Sequence, residues 1–163
     1  MSASLKLDRI NVRILSELQR NGRISFNDLA EIVSLSASPC LKRVRQLEAA
    51  GYIKSYGAEL DLTKLSTPQV IFSQVWLASH QHQDFIRFES KLKSIDELLE
   101  AHIVSGGFDY LLKFITRGIA EYQALMDGLL EADIGIIKYF SFIVLKSPII
   151  KPYYPIEKLI ELR

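Results

Sequence analysis

Residues 25–51 read SFNDLAEIVSLSASPCLKRVRQLEAAG, and this stretch decides the architecture of the front of the chain. Ser25 is suited to cap a helix, with Asp28 three positions on as a capping-box variant: the serine hydroxyl accepts a backbone N–H that the first turn leaves orphaned. Leu29, Ile32 and Val33 then form a short apolar stripe at helical spacing. A further helix opens at Ser36-Ala37-Ser38-Pro39. Either serine can cap it, and the missing proline N–H is no loss in a first turn. Leu41, Val44 and Leu47 give this helix one apolar face, and Gly51 is a ready C-terminal cap. Only a few residues around Ser34-Leu35-Ser36 separate the two helices, the tight connection that a helix-turn-helix needs.

Working outward, residues 8–20 predict a preceding helix. Asp8 caps it, Ile10, Ile14, Leu15 and Leu18 recur with its period, and Asn21-Gly22 stops it. On the other side, Tyr52, Ile53, Tyr56 and Leu60 are strand formers, so residues 52–62 predict a strand or strand pair, either a wing or a linking strand. The polar, proline-broken TKLSTP of residues 63–68 marks a linker. Beyond it the periods alternate: strand at 70–78, helix at 83–93, strands at 98–104 and 109–116, helix at 119–130, strand at 134–145. The order β-α-β-β-α-β predicts a ferredoxin-like antiparallel sheet with both helices on one face. The class is therefore α+β, with a DNA-binding domain over 1–62, a linker over 63–68, a ferredoxin-like domain over 69–147 and a tail over 148–163. The second face of the sheet is not obviously polar, and a dimer packing sheet against sheet would cover it.

Composition narrows the function. Apolar residues make up 48% of the 163, enough for real cores and against disorder. Residues 1–60 hold nine Lys/Arg against six acids, the remainder eleven against thirteen, so the basic excess sits with the helices. With Cys40 alone there is no internal disulfide, and a small buried hydrophobe is the favoured role for it over a reactive thiol. The N-terminus has no signal-peptide core, and no apolar run approaches the ~20 residues of a membrane helix, so a cytoplasmic protein is expected, with no membrane partner. There is no phosphate-cradling glycine loop, serine elbow, cysteine pair or catalytic carboxylate pair, hence no enzyme and no cofactor is expected. His80, His82 and His102 lack partners at metal-ligand spacing and are taken as surface or packing residues.

The third helix is the candidate reader of double-stranded DNA. Residues 36–47 contain no acid. Ser36, Ser38, Lys42, Arg43, Arg45 and Gln46 offer donors for guanine, adenine and phosphate, and Arg23 could hold a further phosphate.

Leu7-Asp8, Ile14-Leu15, Gly22-Arg23-Ile24-Ser25, Leu29-Ala30, Leu35-Ser36, Pro39-Cys40-Leu41, Arg43-Val44, Leu47-Glu48 and Gly51-Tyr52-Ile53 follow in order, and Val104-Ser105-Gly106-Gly107-Phe108-Asp109-Tyr110-Leu111-Leu112-Lys113 comes later. Together these segments resemble the Lrp/AsnC, or leucine-responsive and asparagine regulator, family of transcription regulators. The resemblance implies a winged helix-turn-helix joined to a sensing domain, homodimers assembling to octamers or similar rings, and amino acids or related metabolites as effectors.

Gly106-Gly107 is first a hairpin turn. Its second reading is a backbone nest for an effector carboxylate, with Asp109 facing the ammonium. The resemblance favours the second reading and implies an effector site over Ser105, Gly106, Gly107, Phe108, Asp109 and Tyr110, joined by Ser141, which matches a small hydroxyl position. Family members often carry an acid where this chain has Gly107. The rival readings are an effector-independent architectural DNA binder and, from another class, a small ferredoxin-like enzyme.

Overall fold

The computed structural model describes residues 5–161. It divides into two compact units, Met1–Glu59 with Ile149–Arg163, and Leu60–Pro148.

The first unit holds helices α1 (Arg9–Leu18), α2 (Phe26–Ile32) and α3 (Ala37–Ala49), with a short α6 (Ile156–Leu159) from the end of the chain. Asp8 caps α1 through its carboxylate on the Asn11 N–H, and Ser25 caps α2 through its hydroxyl on the Asp28 N–H. Ser36 stands at the N-cap of α3 without a side-chain cap bond.

Helices α2 and α3 end in the same closing motif. After α2, the Leu35 N–H bonds the Ala30 carbonyl and Ser34 takes a left-handed φ of 58°. After α3, the Tyr52 N–H bonds the Leu47 carbonyl and Gly51 takes φ 76°. Ile14, Leu29, Cys40, Val44 and Leu47 interlock at the centre, all at most 1% exposed. Cys40 is thus a buried packing residue, and burial pushes its thiol up.

The strand expected over residues 52–62 is not formed. Among the described residues this segment has no ladder partner, and without one strand propensity cannot be realised. Its aromatics bond the segment ahead of α1 and helix α3 instead. The Tyr52 hydroxyl donates to the Leu5 carbonyl, and the Tyr56 hydroxyl donates to Glu48. Residues 62–64, placed by sequence around the start of the linker, form a single 3₁₀ turn capped by Asp61.

The second unit is β1 (Gln69–Leu77), α4 (His82–Leu92), β2 (Leu98–Ile103), β3 (Tyr110–Thr116), α5 (Ile119–Glu131) and β4 (Ile136–Ile143). The strands lie in the order β2-β3-β1-β4, every pair antiparallel. This is the ferredoxin-like topology expected. Ile71, Val75, Leu77, Leu112 and Phe114 pack with Phe88 and Leu92 of α4 and Tyr122, Met126 and Leu129 of α5. Both helices therefore cover one face. On the other face the strand period sets out Phe72, Trp76, Phe140 and Phe142, with Phe140 and Phe142 about half exposed. Among the described residues no helix is long and apolar enough to cross a membrane.

Candidate DNA-reading surface and effector loop

The α3 helix buries Cys40, Val44 and Leu47 and turns its remaining sides outward. Ser38, Lys42, Arg45 and Gln46 line one shallow cleft along its exposed side, with Leu41 and Ala49. Among the described residues neither Lys42 nor Arg45 has an ion-pair partner, so the surface presents two unneutralised cations beside a serine and a carboxamide. Ser36 is exposed at the start of the same helix. Arg23 is exposed in the turn between α1 and α2, where its backbone N–H bonds the Asn21 side chain.

Arg43 departs from the expectation. It does not join the outward strip. Its Nη1 donates to Asp8 Oδ2 at 2.7 Å and to Asn11 Oδ1 at 2.8 Å, tying α3 to the first turn of α1. Asn11 is only 5% exposed. Partial burial pushes the Asp8 carboxyl up. The Asn11 N–H and the Arg43 guanidinium outweigh that and hold it below the usual carboxylate range. Arg43 thus ties α3 to α1 through Nη1.

In the second unit, the β2–β3 hairpin carries Ser105, Gly106, Gly107 and Phe108. Gly106 has φ 148°, in the region that favours glycine. Among the described residues, none of the N–H groups of residues 105–108 finds an acceptor. The loop is pinned to β1 at two points. The Trp76 indole N–H donates to the Gly107 carbonyl. The Asp109 carboxylate accepts from the Leu77 N–H at 2.8 Å and pairs with His80 Nε2 at 2.7 Å. Beside the loop, Phe108 and Phe140 both pack on Trp76, and the Lys138 ammonium sits 4.7 Å from the Trp76 ring centre. The loop is therefore held in place, with its donors turned free.

Two expected members stand elsewhere. Tyr110 is 1% exposed, packs on Phe88 at 4.7 Å between centroids, and donates its hydroxyl to Glu89. It belongs to the helix-facing core because strand alternation sends it there, away from the loop tip. Ser141 lies opposite Ser73, also on the helix-facing side. There it shares a hydroxyl chain with Tyr122, whose OH bonds both Ser141 and Ser73. Asp109 is present but partly committed, since its carboxylate already holds a backbone N–H and a histidine. Trp76, His80 and Lys138 were missed as loop partners. The alternation of β1, with Ser73, Val75 and Leu77 inward, already sets Trp76 on the opposite face, but nothing local ties it to a residue 31 positions away.

A helix-turn-helix with a free cationic strip, followed by a ferredoxin-like unit with a donor-rich glycine hairpin, defines a DNA-binding regulator with a small-molecule domain. Comparison narrows the class. A winged helix-turn-helix DNA-binding profile matches residues 7–54, and an Lrp/AsnC ligand-binding domain profile matches residues 70–154. The chain is 44% identical over 143 residues to the transcriptional regulatory protein DoeX of Halomonas elongata, covering 88% of this chain and 90% of that one. It is 39% identical to the leucine-responsive regulatory protein of Haemophilus influenzae over 86% and 85%. An AsnC family transcriptional regulator from Agrobacterium tumefaciens superimposes with a TM-score of 0.87 at 30% identity, covering 94% of this chain and all of that one. The Neisseria meningitidis regulator NMB0573, solved as an L-Met complex, gives 0.86 at 29% identity over 94% and 99%. The chain belongs to the Lrp/AsnC family and is a ligand-responsive, DNA-binding transcription regulator.

Proposed function

We propose that Ser38, Lys42, Arg45 and Gln46 enter the major groove, with Ser36 and Arg23 on flanking phosphates and Arg43 holding the helix from behind. The observation that carries this reading is the acid-free, unneutralised strip along α3. Arg or Lys donates to guanine and Gln pairs with adenine, while serine near a helix N-terminus suits phosphate. A second copy packing on the open sheet face, where Phe72, Trp76, Phe140 and Phe142 lie, yields a homodimer and places two such helices about one DNA turn apart. Dimers associate further into octamers or similar rings, in the cytoplasm, without catalysis.

The effector in this reading is an amino acid. Its carboxylate is received by the free N–H groups of residues 105–108, as backbone nests receive anions. Gly107 adds no charge there, so the loop's own donors are left to the carboxylate. The aromatic patch of Trp76 and Phe108 suits an apolar side chain, and the L-Met bound to the Neisseria relative supports that choice. A titration of labelled DNA from upstream of the gene, with and without L-methionine and L-leucine, tests the whole reading. Expected is salt-dependent specific binding that shifts with one of them. Equal affinity for random DNA, insensitive to every amino acid, refutes it.

A further inference from the structure

The end of the chain returns to the reading unit. The Gln19 carboxamide, at the C-terminal end of α1, donates through Nε2 to the Tyr154 carbonyl at 2.7 Å. It accepts the Tyr154 N–H at 2.9 Å. One side chain thus satisfies both backbone groups of a residue 135 positions away, as a strand neighbour would. The Arg20 guanidinium stacks 4.9 Å over the Tyr153 ring, and α6 packs against α1. These contacts assign residues 149–161 to the same compact unit as the helix-turn-helix.

The chain therefore passes between the two units twice. The outgoing crossing runs from Tyr56, bonded to Glu48, to the start of β1. The return runs from Val144, whose N–H bonds the Val70 carbonyl, to Tyr154. Both crossings leave the sheet at one place, because Ile71 and Ile143 are register partners. The return is about ten residues long, about 35 Å fully extended. Pro148 and Pro152 lie within it and Pro155 just past it, each fixing one backbone torsion and removing slack. A short, stiff return is the tighter of the two tethers.

We propose that α1 is the docking surface for this chain's own tail, and that the docked tail is a second tether, a strap that limits the reading unit's swing. The strap rests on the geometry of the single chain and does not depend on the effector reading.

Time-resolved fluorescence anisotropy of the full protein tests it. The dye goes on Asn27→Cys, an exposed α2 position, while buried Cys40 stays unlabelled. In a chain ending after Lys151, and in full-length Gln19→Ala, the nanosecond segmental component should grow at least about twofold over wild type, as a freed domain moves on that timescale. Gln19→Ala retains the tail and keeps the test valid if truncation harms folding. A melting point that falls in both variants with the segmental component unchanged would make the tail a mere part of the reading unit's fold, and would overturn the strap. Bismaleimide cross-linking of Gln19→Cys with Tyr154→Cys should yield a single-chain product. A covalent dimer would show that a second copy supplies the tail, and would overturn docking within the chain.

Discussion

Replacing Arg43 with alanine separates two roles that a basic residue on a reading helix can play. In the structure its Nη1 bridges Asp8 and Asn11. The ion-pair half is open to solvent, with the Asp8 side chain 49% exposed, so it contributes at most about 1 kcal/mol. The Asn11 half is nearly dry, and orphaning its carboxamide oxygen costs about 1–2 kcal/mol. Together the loss is about 2 kcal/mol, which lowers the melting temperature of a unit this size by roughly 10 °C. Arg43→Lys keeps one partner and should lose about half as much, because the lysine ammonium ends one bond short of the position of Nη1 and does not reach both oxygens. Denaturant titration measures the stability. Titration of DNA at several salt concentrations, below the variant's transition, counts the phosphates neutralised. The expected outcome is a large stability loss with an unchanged salt slope. A slope shallower by about one with unchanged stability would mean that Arg43 meets DNA directly, and the inward assignment would be wrong.

Lys42→Ala and Arg45→Ala should behave differently: each should lose about 1–3 kcal/mol of discrimination between the specific site and random DNA in competition titrations, with stability within about 0.5 kcal/mol of wild type. The Asp8 carboxyl is held low in the fold, so its contribution is present above the ordinary carboxylate pKa and disappears as pH falls through the depressed value. Asp8→Asn should therefore be less stable than wild type at neutral pH and converge with it only once pH has fallen below the ordinary carboxylate range, in urea melts followed across pH. A gap that persists in acid would point to packing instead of charge. Ser34 sits at φ 58° between α2 and α3. Ser34→Gly removes that strain at some cost in unfolded-state entropy, and should raise stability by about 0.5 kcal/mol, which calorimetry reads. A lowered melting temperature would contradict the strain.

What the sequence made legible was whatever it punctuates locally. Asp8, Ser25 and Gly51 bracket helices through their own backbone bonds, so α1 to α3 could be placed within a residue or two. The rear order followed from the switch between helical and strand period. Arg43 was read as outward-facing because an acid-free run looks uniformly outward, whereas its Nη1 turns to α1. A helical wheel carries a finer signal: Cys40, Val44 and Leu47 centre a buried arc, and at about 100° per residue Arg43 flanks it within about 70°, while Lys42, Arg45, Gln46 and Ser38 lie beyond about 120°. A carboxylate and a carboxamide three apart on α1 complete the socket, but only the fold brings them opposite. The strand over residues 52–62 failed for another reason. Strand propensity describes fit to a pleated neighbour, and Tyr52 instead finds the Leu5 carbonyl ahead of α1 while Tyr56 finds Glu48 of α3. The tail contact spans 135 positions through a proline-broken stretch with no period of its own, so no local rule reaches it.

In the proposed reading, the Trp76 indole links the candidate effector loop to the open sheet face. Its ring belongs to the open sheet face with Phe140, while its N–H holds the Gly107 carbonyl. If a second copy covers that face, the indole becomes fixed on both sides, and the loop donors at residues 105–108 are ordered before the effector arrives. Ordering and dimerisation are then linked, and linkage is reciprocal: whatever tightens the dimer raises effector affinity by the same factor. Trp76→Phe tests this cleanly. It keeps an aromatic ring against Phe108 and Phe140 but deletes the N–H, at a cost of about 1 kcal/mol, or roughly fivefold in the linked equilibrium. The variant should remain folded, bind L-methionine or L-leucine several-fold more weakly in calorimetry, and lose most of the effector's influence on its sedimentation behaviour. Unchanged affinity in the variant would show that the loop is ordered by the Asp109 contacts to Leu77 and His80 alone, and that the sheet face and the effector loop act independently.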